Sequence, residues 1–151
     1  QDRMKATGFI VLLIVLFACE NEPVKKIIHS YSNGAPEIVV WLNETKTGVD
    51  TVKRVEFYEN GNTRMEGKYK NNQRDGYWQY FFENGKPWSE GTFKEGKSHG
   101  SFHVYNEDGS LRFESNYKEG KPDGKWTFYT NGKKIKEVIF ENGRKLHEFN
   151  H

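Results

Sequence analysis

Glu90-Gly91-Thr92-Phe93-Lys94-Glu95-Gly96-Lys97-Ser98-His99-Gly100 is one copy of a phrase that returns at Glu66 to Gly76 and at Glu114 to Gly124. Its period is set by the glycine pairs around it. Asn60-Gly61, Asn84-Gly85, Asp108-Gly109 and Asn131-Gly132 lie 24, 24 and 23 residues apart, and Asp75-Gly76, His99-Gly100 and Asp123-Gly124 interleave with them at a spacing of 24. Asn-Gly and Asp-Gly tolerate positive φ at both central positions of a tight turn, so each period is expected to hold two turns and two short antiparallel strands. The expected fold is all-β, a linear array of antiparallel β-hairpins in one single-layer twisted sheet.

Aligned on these turns, one strand of each unit carries Val55/Phe57, Trp78/Tyr80, Phe102/Val104 or Trp126/Phe128, and the returning strand carries Tyr69, Phe93, Tyr117 or Phe140. Residues two apart share a face of a strand, so these side chains are expected to form columns. Two residues before the returning aromatics stand Gly67, Gly91, Ser115 and Val138. A small residue there leaves room for a neighbouring ring to lie across the backbone. The chain has 23 aromatics, of which 18 fall between Phe57 and Phe140, against a hydrophobic content of only 34%. Such a core is aromatic, and the low hydropathy reflects the exposure of a thin fold rather than disorder.

Glu66, Glu90, Glu114 and Glu137 form a fourth column. Four carboxylates invite a metal or acid/base reading, but they recur with the repeat and active sites are singular. They are expected to accept turn amides or pair with repeat lysines.

The phrase from Glu90 to Gly100, with its two counterparts, resembles the membrane occupation and recognition nexus (MORN) repeat, in the bacterial variant associated with antitoxins. The resemblance covers residues 54–145 and implies a MORN-repeat domain over 31–151 with a degenerate first hairpin at 31–53. There Tyr31-Ser32-Asn33-Gly34 echoes Tyr58-Glu59-Asn60-Gly61, and Glu37 to Leu42 and Val49 to Tyr58 read as strands around a turn at Asn43 to Gly48. Phe82-Glu83-Asn84-Gly85 and Asn106-Glu107-Asp108-Gly109 carry one more residue before the turn than Tyr129-Thr130-Asn131-Gly132, which predicts a bulge or a longer loop.

The N-terminus is a separate object. Met4 and Lys5 precede an apolar run from Phe9 to Ala18 that is too short to span a bilayer as a helix but fits the apolar region of a secretory signal. Leu16-Phe17-Ala18-Cys19 resembles the bacterial lipobox, which implies a lipoprotein signal peptide over 1–18, an acyl (palmitate-type) lipid on Cys19 and a tether over 19–30. Glu20, where the inner-membrane retention signal has Asp, points to the outer membrane of the cell envelope. Cys19 is the only cysteine, so neither a disulfide nor a CxxC metal site staples the rest. Removing residues 1–18 takes away Arg3, Lys5 and Asp2 and leaves a net charge of +1, against a dedicated nucleic-acid binder.

Gly91 to Ser98 fits the Walker A pattern, yet a phosphate-binding loop must lead from a strand into a helix and the repeat dictates another strand here. No nucleotide is expected. His99 and His103 are four apart, a metal-clamping distance on a helix only, and His99 fills a slot that Asp75 and Asp123 occupy elsewhere. No metal, cofactor or catalytic residue is expected.

The function this implies is a non-catalytic envelope lipoprotein that binds or scaffolds a protein, glycan or membrane partner through the hairpin array; the alternative is an antitoxin or immunity-type partner of a toxin. Strand parity puts Phe81, Tyr105 and Tyr129 opposite the Trp78/Phe102/Trp126 column. A single layer does not easily bury both faces, so these three rings are the candidate binding residues.

Overall fold

The computed structural model describes residues 22–46 and 48–151. They form strands β1 (Val24–Ser30), β2 (Pro36–Thr45), β3 (Gly48–Phe57), β4 (Thr63–Lys70), β5 (Gln73–Phe81) and β6 (Pro87–Lys94). The order continues with β7 (Lys97–Tyr105), β8 (Leu111–Lys118), β9 (Lys121–Pro122), β10 (Gly124–Thr130), β11 (Lys133–Glu141) and β12 (Arg144–Asn150). All pair antiparallel in chain order as one open sheet, with the two-residue β9 paired to β8 alone. The hairpin array is as expected, with one correction at its start. Residues 24–30, assigned to the tether, are strand β1, which pairs with β2 from Val24↔Leu42 to Ser30↔Pro36. Lys25, Lys26 and His29 masked a strand whose side chains are all exposed. The signal over 1–18 and Cys19 lie outside the described residues.

The turns differ from expectation in an instructive way. In the loop at Asn60-Gly61 the amide of Gly61 donates to the Tyr58 carbonyl at 2.9 Å, and only the glycine has positive φ, +85°. This is a type I turn closed by a left-handed glycine, and it recurs at Phe82–Lys86 and Asn106–Ser110, the longer loops predicted for those units. Asn131-Gly132, one residue shorter, has positive φ at both positions, 51° and 72°.

Along the opposite edge the turns are Asn71-Asn72, Glu95-Gly96, Glu119-Gly120 and Asn142-Gly143, each with positive φ at both positions. Asp75-Gly76, His99-Gly100 and Asp123-Gly124 are therefore not turns. Gly67 pairs with Trp78 and Tyr69 with Arg74, so β5 spends residues 75–77 against Lys68 alone, and Gly76 at φ +78° is the left-handed residue of a bulge. A glycine needed for positive φ serves a bulge as well as a turn, and the pair by itself does not say which.

The bulges join one unit to the next. Gly96 N donates to Arg74 O at 2.9 Å, Gly120 N to Ser98 O at 2.8 Å and Gly143 N to Pro122 O at 2.7 Å. Asp123 Oδ1 also accepts the Asn142 amide at 3.0 Å. On the loop edge Tyr31 Oη donates to Phe57 O and Tyr58 Oη to Phe81 O, both at 2.7 Å. The turns on one edge thus rest on the preceding unit and the loops on the other bond the following one, as a repeat that cannot stand alone requires.

One face carries the core. Tyr69, Trp78, Phe93, Phe102, Tyr117, Trp126 and Phe140 form an unbroken row with successive ring centroids 5.2, 6.0, 5.4, 5.1, 5.3 and 5.0 Å apart. Trp78 is 0% exposed even in a single layer. Its ring lies on the backbone of Gly67, and the Arg74 guanidinium covers it at 4.6 Å from the ring centroid. Its indole N–H donates to Lys68 O at 3.1 Å, as Trp126 does to Asn116 O. The first four ring pairs meet edge to face at 70–79°, whereas beside Ser115 and Val138 the last two tilt to 53° and 51°. A side chain at the slot that is glycine in the earlier units accompanies the change of ring angle.

The column in β3 is a correction. Arg54 pairs with Gly67 and Glu56 with Met65, so these two stand where Trp78 and Tyr80 stand in the next unit, while Val55 faces the other side opposite Glu66. Glu56, 8% exposed, is held by Arg64 and by Arg54 Nε at 2.8 Å. At the far end Glu148 pairs opposite Val138, as Trp126 does from the other side, and bonds Lys145 at 2.8 Å. Charged side chains thus close the aromatic row at both ends; β2 and β1 continue the sheet beyond β3, whereas at the edge strand β12 the charge discourages a further strand from adding.

Candidate functional site

The face opposite the aromatic row is built by the strand alternation itself. Pairings Glu66↔Gln79, Gln79↔Glu90, Glu90↔His103, His103↔Glu114, Glu114↔Thr127 and Thr127↔Glu137 lay one row of polar side chains across seven adjacent strands. Neighbouring strands are about 4.8 Å apart, so the glutamates recur at about 9.6 Å.

The ends of the row pair with lysines, as the sequence implied. Glu66 meets Lys53 at 3.0 Å, and Glu137 meets Lys134 at 3.0 Å, Lys125 at 3.2 Å and His151 at 3.0 Å. Hydrogen bonds from Lys134, Lys125 and His151 bring the Glu137 carboxyl down to about 2.

The centre is different. Glu90 accepts the hydroxyl of Tyr77 on one oxygen and that of Tyr105 at 2.8 Å on the other, with His103 Nδ1 at 3.6 Å. Glu114 accepts Tyr129 Oη at 2.9 Å. Among the described residues no lysine or arginine forms an ion pair with Glu90 or Glu114. Burial opposes ionisation of Glu90, but the two tyrosine hydroxyls and His103 outweigh it and hold the carboxyl below its usual range. Burial, and then the bond to the ionised Glu90, push Tyr77 and Tyr105 up to about 12.

Tyr105 and Tyr129 therefore lie on the predicted face, but as half-buried rings tied to carboxylates rather than as free ones. Phe81 is half-buried too, and its carbonyl receives the Tyr58 hydroxyl. The ring that stands out is Tyr77, 52% exposed. Sequence reasoning missed it because the next unit has Ser101 at that place, so no column marks it; strand parity with Gln79 and Phe81 was the available signal. The Walker-like stretch runs from β6 through the turn at Glu95-Gly96 into β7, with no helix to hold a phosphate. His99 sits in a bulge, and among the described residues no group of three His, Cys, Asp or Glu is placed to hold a metal ion.

The tyrosine pair gives a spectroscopic prediction. Of the eight tyrosines, Tyr77 and Tyr105 should ionise near 12 rather than at the ordinary 10. Because their folded values are raised, the stability they lend is complete below pH 10 and is lost as pH rises through about 12. Glu90→Gln should bring both midpoints down in a tyrosinate absorbance titration; midpoints unmoved by that change would show that Glu90 does not hold them.

An open array of short hairpins, each resting on the one before, with an aromatic row on one face and a polar row on the other, defines a β-repeat protein. The chain belongs to the MORN repeat family: the model described as "MORN repeat variant" matches residues 51–71, 74–95, 98–119 and 122–142. A search of the curated proteins finds no match. Among solved structures, the crystal structure of TarM shares 14% identity over 87% of this chain and 21% of its own, with a TM-score of 0.36. A complex of an S. aureus TarM mutant with fondaparinux, alpha-GlcNAc-glycerol and UDP shares 15% over 87% and 22%, with a TM-score of 0.36. The GtfA/B complex bound to UDP and GlcNAc shares 12% over 80% and 21%, with a TM-score of 0.32. The chain spans about a fifth of the length of each, and likenesses this distant carry no argument about what it does.

Proposed function

We propose that the protein is a non-catalytic envelope lipoprotein whose MORN-repeat array binds or scaffolds a protein, glycan or membrane partner. Membership of the MORN repeat family supports a repeat module of the binding kind. The observation that carries the reading is the polar face: a row of carboxylates and tyrosines on a single-layer sheet, with no second layer among the described residues to cover it. Tyr77 stands exposed on this face, and tyrosine is among the residues enriched in contact surfaces. The anchor rests on the sequence from Phe9 to Cys19. One acyl chain holds a protein weakly and several hold it stably, so the multi-chain lipid implied by the lipobox resemblance would fix the protein to a membrane.

Metabolic labelling with palmitate tests the anchor: wild-type protein should take up label in the membrane fraction, and Cys19→Ser should abolish the label. Unlabelled wild-type protein in the soluble fraction would overturn it.

A further inference from the structure

The two long edges of the sheet differ in charge, and the chain enters at one of them. The turns Asn71-Asn72, Glu95-Gly96, Glu119-Gly120 and Asn142-Gly143 lie on the same edge, because each strand runs between the turn edge and the loop edge, where Asn131-Gly132 lies. The turn segments 46, 70–73, 94–97, 118–121 and 141–145 together carry eight lysines and arginines against three glutamates, a net charge of +5. The loop segments 31–35, 58–62, 82–86, 106–110 and 130–134 carry three lysines against four acidic residues, a net charge of −1. Lys94 pairs across its turn with Lys97, and Lys118 with Lys121, all four exposed. The turns are held side by side by the inter-unit amide bonds already described, so their lysines form a fixed comb rather than a set of wandering tails. The aspartates just behind, Asp75 and Asp123, are turned onto the amides of Glu95 at 3.4 Å and Asn142 at 3.0 Å.

β1 begins on this edge. Val24 pairs with Leu42, three residues short of the end of β2, and the strand runs away from the turns towards the loop at Asn33-Gly34. Cys19 precedes Val24 by five residues, which reach at most about 18 Å when fully extended. The loop edge lies a further six residues of β1 away, about 20 Å. A membrane holding the lipid on Cys19 is therefore nearer the turn edge than the loop edge.

We propose that the turn edge, through Lys94, Lys97, Lys118 and Lys121, lies against an anionic lipid surface next to the anchor. This stands the array on its basic edge and leaves the polar row of Glu90, Glu114 and their tyrosines facing the space beside the membrane. The proposal rests on the anchor reading above. It adds the orientation of the sheet and the chemistry of the surface that orients it: the anionic phosphates of lipid headgroups, attracted by lysines over a Debye length of about 10 Å at 0.1 M salt.

Vesicle co-sedimentation tests it on the full chain carrying Cys19→Ser, so that no acyl lipid contributes. Any binding through the apolar run at Phe9 to Ala18 is common to all variants, and the reading is the ratio of binding to phosphatidylglycerol-containing over pure phosphatidylcholine vesicles. Each lysine near an anionic surface contributes roughly a fivefold factor. The fourfold change Lys94→Gln, Lys97→Gln, Lys118→Gln and Lys121→Gln should lower the ratio at least tenfold, and added salt should do the same to the unchanged lysines. Lys86→Gln with Lys133→Gln, on the loop edge, should leave the ratio unchanged. Tryptophan emission of each variant reports that the aromatic row is intact.

A ratio unaffected by the turn-edge change, or lowered equally by the loop-edge change, overturns the proposal. The anchor fails separately: absence of palmitate label on wild-type protein removes the lipid, while a lysine-dependent ratio in the same protein still supports the basic edge as a lipid-binding surface.

Discussion

Trp78→Ala is expected to lower the unfolding free energy by about 3–5 kcal/mol, the largest effect of any single truncation in the array. Trp78 is fully buried at 0% exposure, touches Tyr69 and Phe93 edge to face at 5.2 and 6.0 Å, and carries the Arg74 guanidinium on its ring. Alanine would open the row at its second ring, strand the Lys68 carbonyl that accepts the indole N–H, and leave Arg74 with nothing beneath it. A single-layer sheet has no opposite layer to collapse into the gap, so relaxation recovers little. Trp126→Ala should cost less, since that ring is only half-buried and its neighbours already depart from edge-to-face packing. Urea unfolding of both variants checks the order; a loss under about 1 kcal/mol at Trp78 would show that the row does not hold the fold together.

Gly67→Ala should cost about 1–3 kcal/mol by overpacking. A Cβ at Gly67 would stand 2.2 Å from Trp78 Cδ2, and one at Gly91 2.2 Å from Phe102 Cδ1. These two glycines pair with Trp78 and Phe102 at the border of a bulge and are not among the positive-φ residues, so no left-handed backbone strain contributes and the penalty is steric. The double change Gly67→Ala with Trp78→Ala isolates it. With the indole gone, the added methyl meets empty space, and its cost should vanish or reverse in sign, giving a coupling energy of the order of the single-mutant penalty. Additive costs would mean that the methyl is resisted by the backbone rather than by the ring.

The misreadings between sequence and structure share one physical cause. A one-residue change of register exchanges the faces of a strand, and a bulge makes such a change without altering local composition. Val55 and Phe57 look like Trp78 and Tyr80 moved back by about one period, yet Arg54 and Glu56 take those places. Asp75-Gly76 reads as a turn yet is a bulge, because positive φ is all that the glycine reports. Lys25 and Lys26 read as tether yet lie in a paired strand, because an edge strand needs backbone partners more than buried side chains. The candidate face was partly legible: parity placed Tyr105 and Tyr129 on it correctly. Their bonds to Glu90 and Glu114 were not, since residues 15 apart in sequence meet only through pairing across strands.

The sequence by itself determined the period, the all-β class, the number of hairpins in the repeated part and the aromatic row, because turn chemistry and alternation are local and are repeated four times over. Only the tertiary structure decided which glycines turn the chain and which bulge it, where charge closes the row, that Glu90 sits between two tyrosines, and that the chain enters at the basic edge. Each of these depends on pairing between strands, where hydrogen bonds set across the sheet fix the face and the neighbours of every side chain.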